Sequence, residues 1–350
     1  MNRILVTGGA GFIGSNFVHY CLNKNDKVLN FDILTYAGNL DNLKNIENND
    51  NYTFVKGNIC DKKLLDECLD NFQPNFIVNF AAESRVDRSI DRPENFINTN
   101  VVGTYQLLSS CLQYYSNIND DSHKSKFMLL HISTDEVYGS LGEEGFFNEN
   151  SNYNPNSPYS ASKASSDHIV SAWFKTYGLP TIITNCSNNY GPYQFPEKLI
   201  PHMIHRCLKE KKLPIYGNGK NMRDWIFVTD HCEALYQVLN KGSRGDNYII
   251  GGDEEKSNIE VVQMICKILN TLRPSINLKT YEDLIEFVKD RPGHDYRYAI
   301  DCSKIKKELK WSQKVSFDEG LLKTINWYLE NLEWTNKIIN EKYSLNRIGI

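Results

Sequence analysis

A glycine-rich turn inside the first fourteen residues does most to limit what this chain can become. Arg3-Ile4-Leu5-Val6-Thr7 is a short apolar, β-prone run that opens on Gly8-Gly9-Ala10-Gly11-Phe12-Ile13-Gly14, after which Ser15 to Leu22 carries apolar residues at helical period. The order is strand, turn, helix. Gly8 permits the tight turn, Gly11 lets backbone N–H groups approach a pyrophosphate, and Gly14 allows close packing of helix on strand, so an anion sits at a helix N-terminus. A second strand, Lys27 to Phe31, ends in Asp32, 18 residues beyond Gly14. A carboxylate there accepts hydrogen bonds from an adenosine ribose and repels a 2′-phosphate, which predicts NAD as the cofactor rather than NADP. The plainer alternative is a glycine turn without a ligand. Strand, helix and acid in register weigh against it.

Strand and helix patterns continue to alternate. Phe54 to Val55, Phe76 to Phe80, Phe127 to Ser133 and Thr181 to Thr184 are predicted strands, with helices near Lys62 to Asn71, Pro93 to Tyr115 and Ser160 to Tyr177. The expected fold is α/β, a doubly wound parallel Rossmann sheet with a smaller C-terminal α/β lobe that binds substrate. Residues 1–188 form the dinucleotide lobe, 189–335 mainly the substrate lobe with the chain crossing back to the first, and 336–350 a tail. In such sheets ligands bind beyond the carboxyl ends of the strands, where Ala81-Ala82-Glu83-Ser84, Thr134-Asp135-Glu136 and Asn188-Asn189 fall.

With 350 residues and 41% hydrophobic content the chain can bury a large core. A net charge of −4 without a basic block argues against a nucleic-acid polymer as partner. Met1-Asn2-Arg3 runs straight into the first strand with no apolar signal region, and no stretch reaches membrane-spanning length, so a cytoplasmic protein with no membrane partner is expected. Nine scattered cysteines without a C-x-x-C pair are expected to be reduced packing residues. His294 lacks a second His, Cys or carboxylate at ligand spacing, so no metal is expected.

Chemistry concentrates at Thr134-Asp135-Glu136 and, 23 residues later, Tyr159-x-x-x-Lys163. Tyr159 and Lys163 lie four apart on one helix face, where the lysine and a bound nicotinamide cation would lower the phenol pKa and make Tyr159 a base. Two further carboxylates exceed what an alcohol oxidation requires. A helix cap after the strand is their plainer alternative.

At these residues the chain resembles the extended short-chain dehydrogenase/reductase family, and within it the nucleotide-sugar 4,6-dehydratases. The resemblance covers nearly the whole chain. It is carried by Val6 to Gly14, Leu34 to Asn39, Ala81 to Ser84, Ser133 to Gly139, Ser157 to Asp167, Asn185 to Pro192, Phe195 to Pro201, Arg223-Asp224-Trp225 and Asp290 to Asp295. It implies dTDP-glucose as substrate, with UDP-glucose the nearest alternative. Tyr159 would take the C4 hydroxyl proton, Glu136 the C5 proton, and Asp135 would protonate the departing C6 hydroxyl, while Thr134 places the C4 oxygen.

The resemblance also implies that Phe12, Ile13, Asp32, Ile33, Leu34, Thr35, Asn58, Ile59, Ala81, Ala82, Glu83, Ser84, Thr99, Tyr159, Lys163 and Asn189 hold NAD. For the nucleotide sugar it implies Ser84, Thr134, Asn188, Lys198, Leu199, Pro214, Ile215, Tyr216, Arg223, Asn258, Asp290, Arg291, Pro292, Gly293 and His294. Arg223 suits the diphosphate because its planar fork pairs with phosphate oxygens; an exposed arginine paired to Asp224 is the alternative. Asn58, Arg85 and Tyr296 depart from the family's usual Asp, His and Arg. An epimerase of the same fold has no need of Asp135 and Glu136, and a silent NAD-binding protein would be free to lose Tyr159, Lys163 or Glu136. A homodimer is implied, through helices near Phe96 to Tyr115 and Ser160 to Tyr177.

Overall fold

The computed structural model describes residues 1–342, with side chains to residue 340; Tyr343 onward lies outside the described residues. The first half alternates as expected: β1 (Arg3–Thr7), α1 (Phe12–Asn23), β2 (Lys27–Asp32), β3 (Tyr52–Lys56), α2 (Lys62–Phe72) and β4 (Phe76–Asn79). Then come α3 (Val86–Asp91), α4 (Pro93–Phe96), α5 (Thr104–Asn117), α6 (Asp121–Lys126), β5 (Met128–Thr134), α7 (Pro158–Tyr177) and β6 (Thr181–Cys186).

Successive side chains of each strand enter opposite layers. Ile4, Val6, Phe76, Val78, Leu130 and Ile132 join Phe17, Val18 and Leu235 on one face. Leu5, Ile77 and Leu129 join Leu65, Leu69, Leu107 and Val170 on the other. That double burial is why these strands are mostly apolar, with their few polar side chains buried.

The rest of the chain is β7 (Asn188–Tyr190), α8 (Leu199–Leu208), β8 (Leu213–Tyr216), β9 (Met222–Phe227), α9 (Val228–Lys241), β10 (Asn247–Ile250), β11 (Glu255–Ser257), α10 (Asn258–Leu272), β12 (Ile285–Val288), α11 (Ser303–Leu309), α12 (Phe317–Glu330) and α13 (Leu332–Lys342). The seven-stranded sheet has the order β10-β6-β5-β4-β1-β2-β3, and every pairing in it is parallel. Thus β10, from the second half, is an edge strand of the first lobe's sheet. A second core gathers Ile200, Met203 and Ile204 of α8, Val261, Ile265 and Leu269 of α10, and Leu321 and Ile325 of α12. Residues from 336, where the sequence suggested a tail, continue α13 to Lys342, and Ile338 packs on Phe195. Among the described residues no helix is long and apolar enough to cross a membrane.

The single helix expected over Pro93 to Tyr115 is instead interrupted by a π-helical stretch, Ile97–Gly103. One extra residue per turn turns the chain without breaking it, a device common at functional sites. Here the stretch aims Thr99 at the cleft and lets Asn100 bracket Glu83, accepting from its N–H (2.9 Å) and donating to its carbonyl (3.0 Å). Helical periodicity carries no signal for it.

The glycine turn is sterically closed. Gly8 lies at φ +71°, and a Cβ on Gly14 would fall 2.3 Å from the Gly8 carbonyl oxygen. Gly14→Ala is expected to force the turn open and cost about 1–3 kcal/mol, seen as a lower urea midpoint with an unchanged denaturant slope.

Candidate active site

Where the parallel strands end, their loops line one cleft of about 330 Å³. Of the residues expected to hold a dinucleotide, Gly8, Gly11, Phe12, Ile13, Gly14, Asp32, Ile33, Thr35, Asn58, Ile59, Ala81 to Ser84, Thr99, Tyr159, Lys163 and Asn189 line it. Leu34 does not. It adopts φ +59°, its N–H donates to Asp32 (2.7 Å), and its side chain packs on the first core.

The Asp32 carboxylate also accepts from the Ala10 N–H (2.9 Å), so it straps the glycine turn to β2 while lining the cleft. Gly11 stands immediately before helix α1 and offers no side-chain cap. The first N–H groups of the helix therefore face the cleft mouth with the positive end of the helix dipole, a fit for a pyrophosphate. Asn58 already accepts from the Cys60 N–H (2.9 Å), leaving one carbonyl lone pair for an adenine amino group. The Asn189 side chain is held from behind by buried His231 (2.8 Å).

At the carboxyl end of β5, Thr134 caps the short 3₁₀ turn Asp135–Tyr138, its hydroxyl accepting from the Glu136 N–H (3.3 Å) and donating to Asp135 (3.2 Å). The helix-cap alternative is thus true of Thr134, but it leaves both acids unexplained. Asp135 is 1% exposed, and its Oδ2 has no hydrogen-bond partner. Burial, then the charges of Glu136 and Asp224, push its pKa well above the carboxylate range, with Arg223 opposing. Burial raises Glu136 as well, and the Asp295 charge adds to this, while Arg291, Lys198 and Arg223 oppose it. Both acids are thus pushed upward, with more cations opposing the shift at Glu136 than at Asp135.

Tyr159 and Lys163 stand four apart on α7 and line the same cleft. Lys163 donates to the Ile132 carbonyl (2.7 Å). The expected lowering of the Tyr159 pKa is not what the protein's own groups produce. Burial first, then the Glu136 charge and Cys186, push the phenol well up, with the Thr134 hydroxyl opposing. A neighbouring carboxylate raises what a lysine alone would lower.

The residues expected around the nucleotide sugar divide. Ser84, Thr134, Asn188 and Lys198 line the cleft, and Lys198 donates to the Ser84 carbonyl (3.0 Å). Leu199 and Ile215 turn into the second core, so only their backbones remain for a ligand. Pro214 and Tyr216 lie on β8, Asn258 opens α10, and Asp290 to His294 fold beside Tyr216, with Gly293 at φ +63° and the Tyr216 and His294 rings 6.0 Å apart.

Arg223 is buried, its guanidinium 4.3 Å over the Tyr298 ring and bonded to the carbonyls of Met222 (2.6 Å) and Asp295 (3.0 Å), which excludes the exposed ion pair with Asp224. His294 does have a carboxylate partner, Asp290 at 2.6 Å, which the sequence reading overlooked four residues upstream. Among the described residues no three His, Cys, Asp or Glu gather as a metal site.

Sequence reasoning missed an acid pair in this region. Asp87 holds Arg85 (2.7 Å) and Arg291 (3.1 Å), and Glu197 holds Arg88 (3.1 Å), which stacks 3.7 Å over Tyr36. Arg85, one of the three departures, thus belongs to an ion network. Tyr296 is 43% exposed, and its carbonyl, not its ring, meets the Met222 N–H (2.8 Å).

The Asp135 environment has a measurable consequence. A carboxyl whose folded pKa is raised contributes stability below the unfolded value of about 3.9 and loses it as pH climbs toward the folded value. Asp135→Asn removes that loss, so the variant is expected to melt above wild type at pH 7 and level with it near pH 4, by differential scanning calorimetry.

Comparison with known proteins agrees with this geometry. A family described as GDP-mannose 4,6 dehydratase matches residues 5–324. The chain is 53% identical over 348 residues to a probable dTDP-glucose 4,6-dehydratase of Sinorhizobium fredii, covering 99% of each chain. Among solved structures, the dTDP-glucose 4,6-dehydratase of Bacillus anthracis in complex with NAD is 50% identical with a TM-score of 0.85, covering 97% of this chain and 100% of that one. The enzyme of the same name from Streptomyces venezuelae, also with NAD bound, is 43% identical with a TM-score of 0.87, covering 96% and 99%.

Proposed function

The chain belongs to the nucleotide-sugar 4,6-dehydratase family, and we propose that it is an NAD-dependent hydro-lyase converting dTDP-glucose to dTDP-4-keto-6-deoxyglucose and water. The observation that carries this reading is Asp135 beside Glu136, a buried acid and a half-buried one with different charges around them, next to Tyr159 and Lys163 in one cleft. An oxidation or a 4-epimerisation uses the tyrosine and lysine alone. Elimination of water needs an acid and a base besides.

Tyr159 takes the proton of the C4 hydroxyl, whose oxygen Thr134 positions. The C4 ketone acidifies C5–H, and Glu136, set against Arg291, Lys198 and Arg223, removes that proton. Asp135, whose pKa burial raises, gives its proton to the C6 hydroxyl as it leaves as water. Glu136 then returns its proton to C5. When bound, NAD accepts the hydride from C4, returns it to C6, and adds the positive charge that favours the Tyr159 phenolate. Gly8, Gly11, Gly14 and Asp32 hold the dinucleotide, while Arg223 and Arg291 take the diphosphate.

Incubation with dTDP-glucose and, separately, UDP-glucose, each with NAD, followed by mass spectrometry and NMR, tests the reading. The expected result is loss of one water, a new C6 methyl and no accumulated NADH, faster with dTDP-glucose; an epimer or no product sinks it. Glu136→Gln is expected to lower kcat by about 10²–10⁴ with little change in dTDP-glucose affinity.

The reading includes a cytoplasmic homodimer. All nine cysteines are unbridged and all but Cys60 are buried, in keeping with a reducing compartment. Ile97, Val102 and Tyr105 are exposed apolar side chains on one long helical segment, and α7 beside it exposes Ala161, Ser165 and Ala172. Small and apolar residues on adjacent helices suit helix–helix packing with a second copy. Val102→Asp with Ala172→Glu is expected to give a monomer in sedimentation velocity; a dimer that survives both places the interface elsewhere.

A further inference from the structure

Beneath the two halves of the active site lies a carboxylate that the reaction above does not use. Asp167 follows Lys163 by four residues on α7, as Lys163 follows Tyr159, so the three share one face of the helix. It is 1% exposed. Its Oδ2 accepts from the Ser133 hydroxyl (2.7 Å), the Tyr153 hydroxyl (3.0 Å) and the Asn185 side-chain amide (3.3 Å). Its Oδ1 has no hydrogen-bond donor, and the His131 Nε2 stands 3.4 Å away.

Two of these partners, Ser133 and Asn185, face each other across β5 and β6 beside the end of β5 that leads to the acids. Ser133 immediately precedes Thr134, and Asn185 also donates to the Thr134 carbonyl (3.1 Å). His131 cannot supply the missing charge. Asn79 accepts from the Thr7 hydroxyl through its oxygen (2.6 Å), so its amide donates to the His131 Nδ1 (3.1 Å). That fixes the proton on Nε2 of a neutral ring, and burial, then the Lys163 charge, holds the ring neutral.

A carboxylate sealed from water is strongly unfavourable unless a cation answers it. Lys163 is the cation on the same face. Burial works against the Lys163 ammonium, and Asp167 is the first group that opposes this. We propose that Asp167 is a positioning residue for the reaction, the counter-charge of Lys163 and, through Ser133 and Asn185, the anchor of the backbone that presents Thr134 and Asp135. This rests on the proposed role of Lys163 as an ammonium beside Tyr159. Besides Lys163, the titratable groups facing Asp167 are His131 on β5, Tyr138 on the turn after it and Tyr153 in the following loop; Cys186 on β6 and Tyr159 on α7 complete the surroundings of Lys163.

Asp167→Asn in the full-length holoenzyme tests this. The expected result is a kcat lowered about tenfold or more, KM for dTDP-glucose changed far less, and the alkaline limb of the kcat profile moved down by about one pH unit, because Lys163 sheds its proton sooner. Ser133→Ala, which removes a hydrogen bond and no charge, is expected to leave that limb in place. A folded Asp167→Asn enzyme whose alkaline limb matches wild type overturns the proposal.

A thermal double-mutant cycle with Lys163→Met covers the case of an unfolded variant and needs no activity. Asp167→Asn is expected to lower the melting temperature less in the Lys163→Met background than in wild type, and additive losses overturn the charge pairing. Should wild type itself release no water from dTDP-glucose, the reading of the reaction fails while the thermal cycle still decides the pairing.

Discussion

Charge kept away from water has to be answered by charge of the other sign, or be given up, and the centre of this molecule is arranged around that rule. Asp135 and Glu136 are consecutive residues of nearly the same chemistry at the end of one buried strand. Their difference comes from what faces them. Two carboxylates, Glu136 and Asp224, press on Asp135 with Arg223 opposing, whereas Arg291, Lys198 and Arg223 stand before Glu136. Adjacent carboxylic acids are thereby placed among different charges. The same rule governs the layer below, where Lys163 and Asp167 are sealed in together.

The parallel sheet makes this possible because it brings loops from distant parts of the chain to one edge. β5 leads to Thr134, Asp135 and Glu136, β4 to Ala81 to Ser84 and β6 to Asn188, because these three strands run side by side in parallel. Buried on both faces, those strands are predominantly apolar, and that composition is what made them visible as strands in the sequence. The glycine turn was legible for a similar local reason, since a Cβ at Gly8 or Gly14 would collide with neighbouring backbone. Tyr159 and Lys163 were legible because helical spacing alone puts them on one face.

What escaped sequence reading is held by contacts between residues far apart in the chain. The Asp87–Arg291 pair and the Glu197–Arg88 pair join segments 204 and 109 residues apart, and no local pattern announces either. Nor could spacing reveal that Leu199 and Ile215 turn inward, because an apolar residue next to a polar loop suits a ligand or a core equally well. The raised phenol of Tyr159 was misjudged for a related reason. Lys163 is its neighbour in sequence, but burial first, and then Glu136 from 23 residues away, set the direction of its shift.

That ion network follows the rule that governs the two acids. Arg291 is within 3.1 Å of Asp87, while Arg85 lies between Asp87 and Glu197. These arginines are partly buried, and an unpaired cation there would carry an uncompensated desolvation cost in the ligand-free protein. Asp87 and Glu197 remove that cost in advance, by the same compensation of charge kept from water that acts around Asp135 and Glu136.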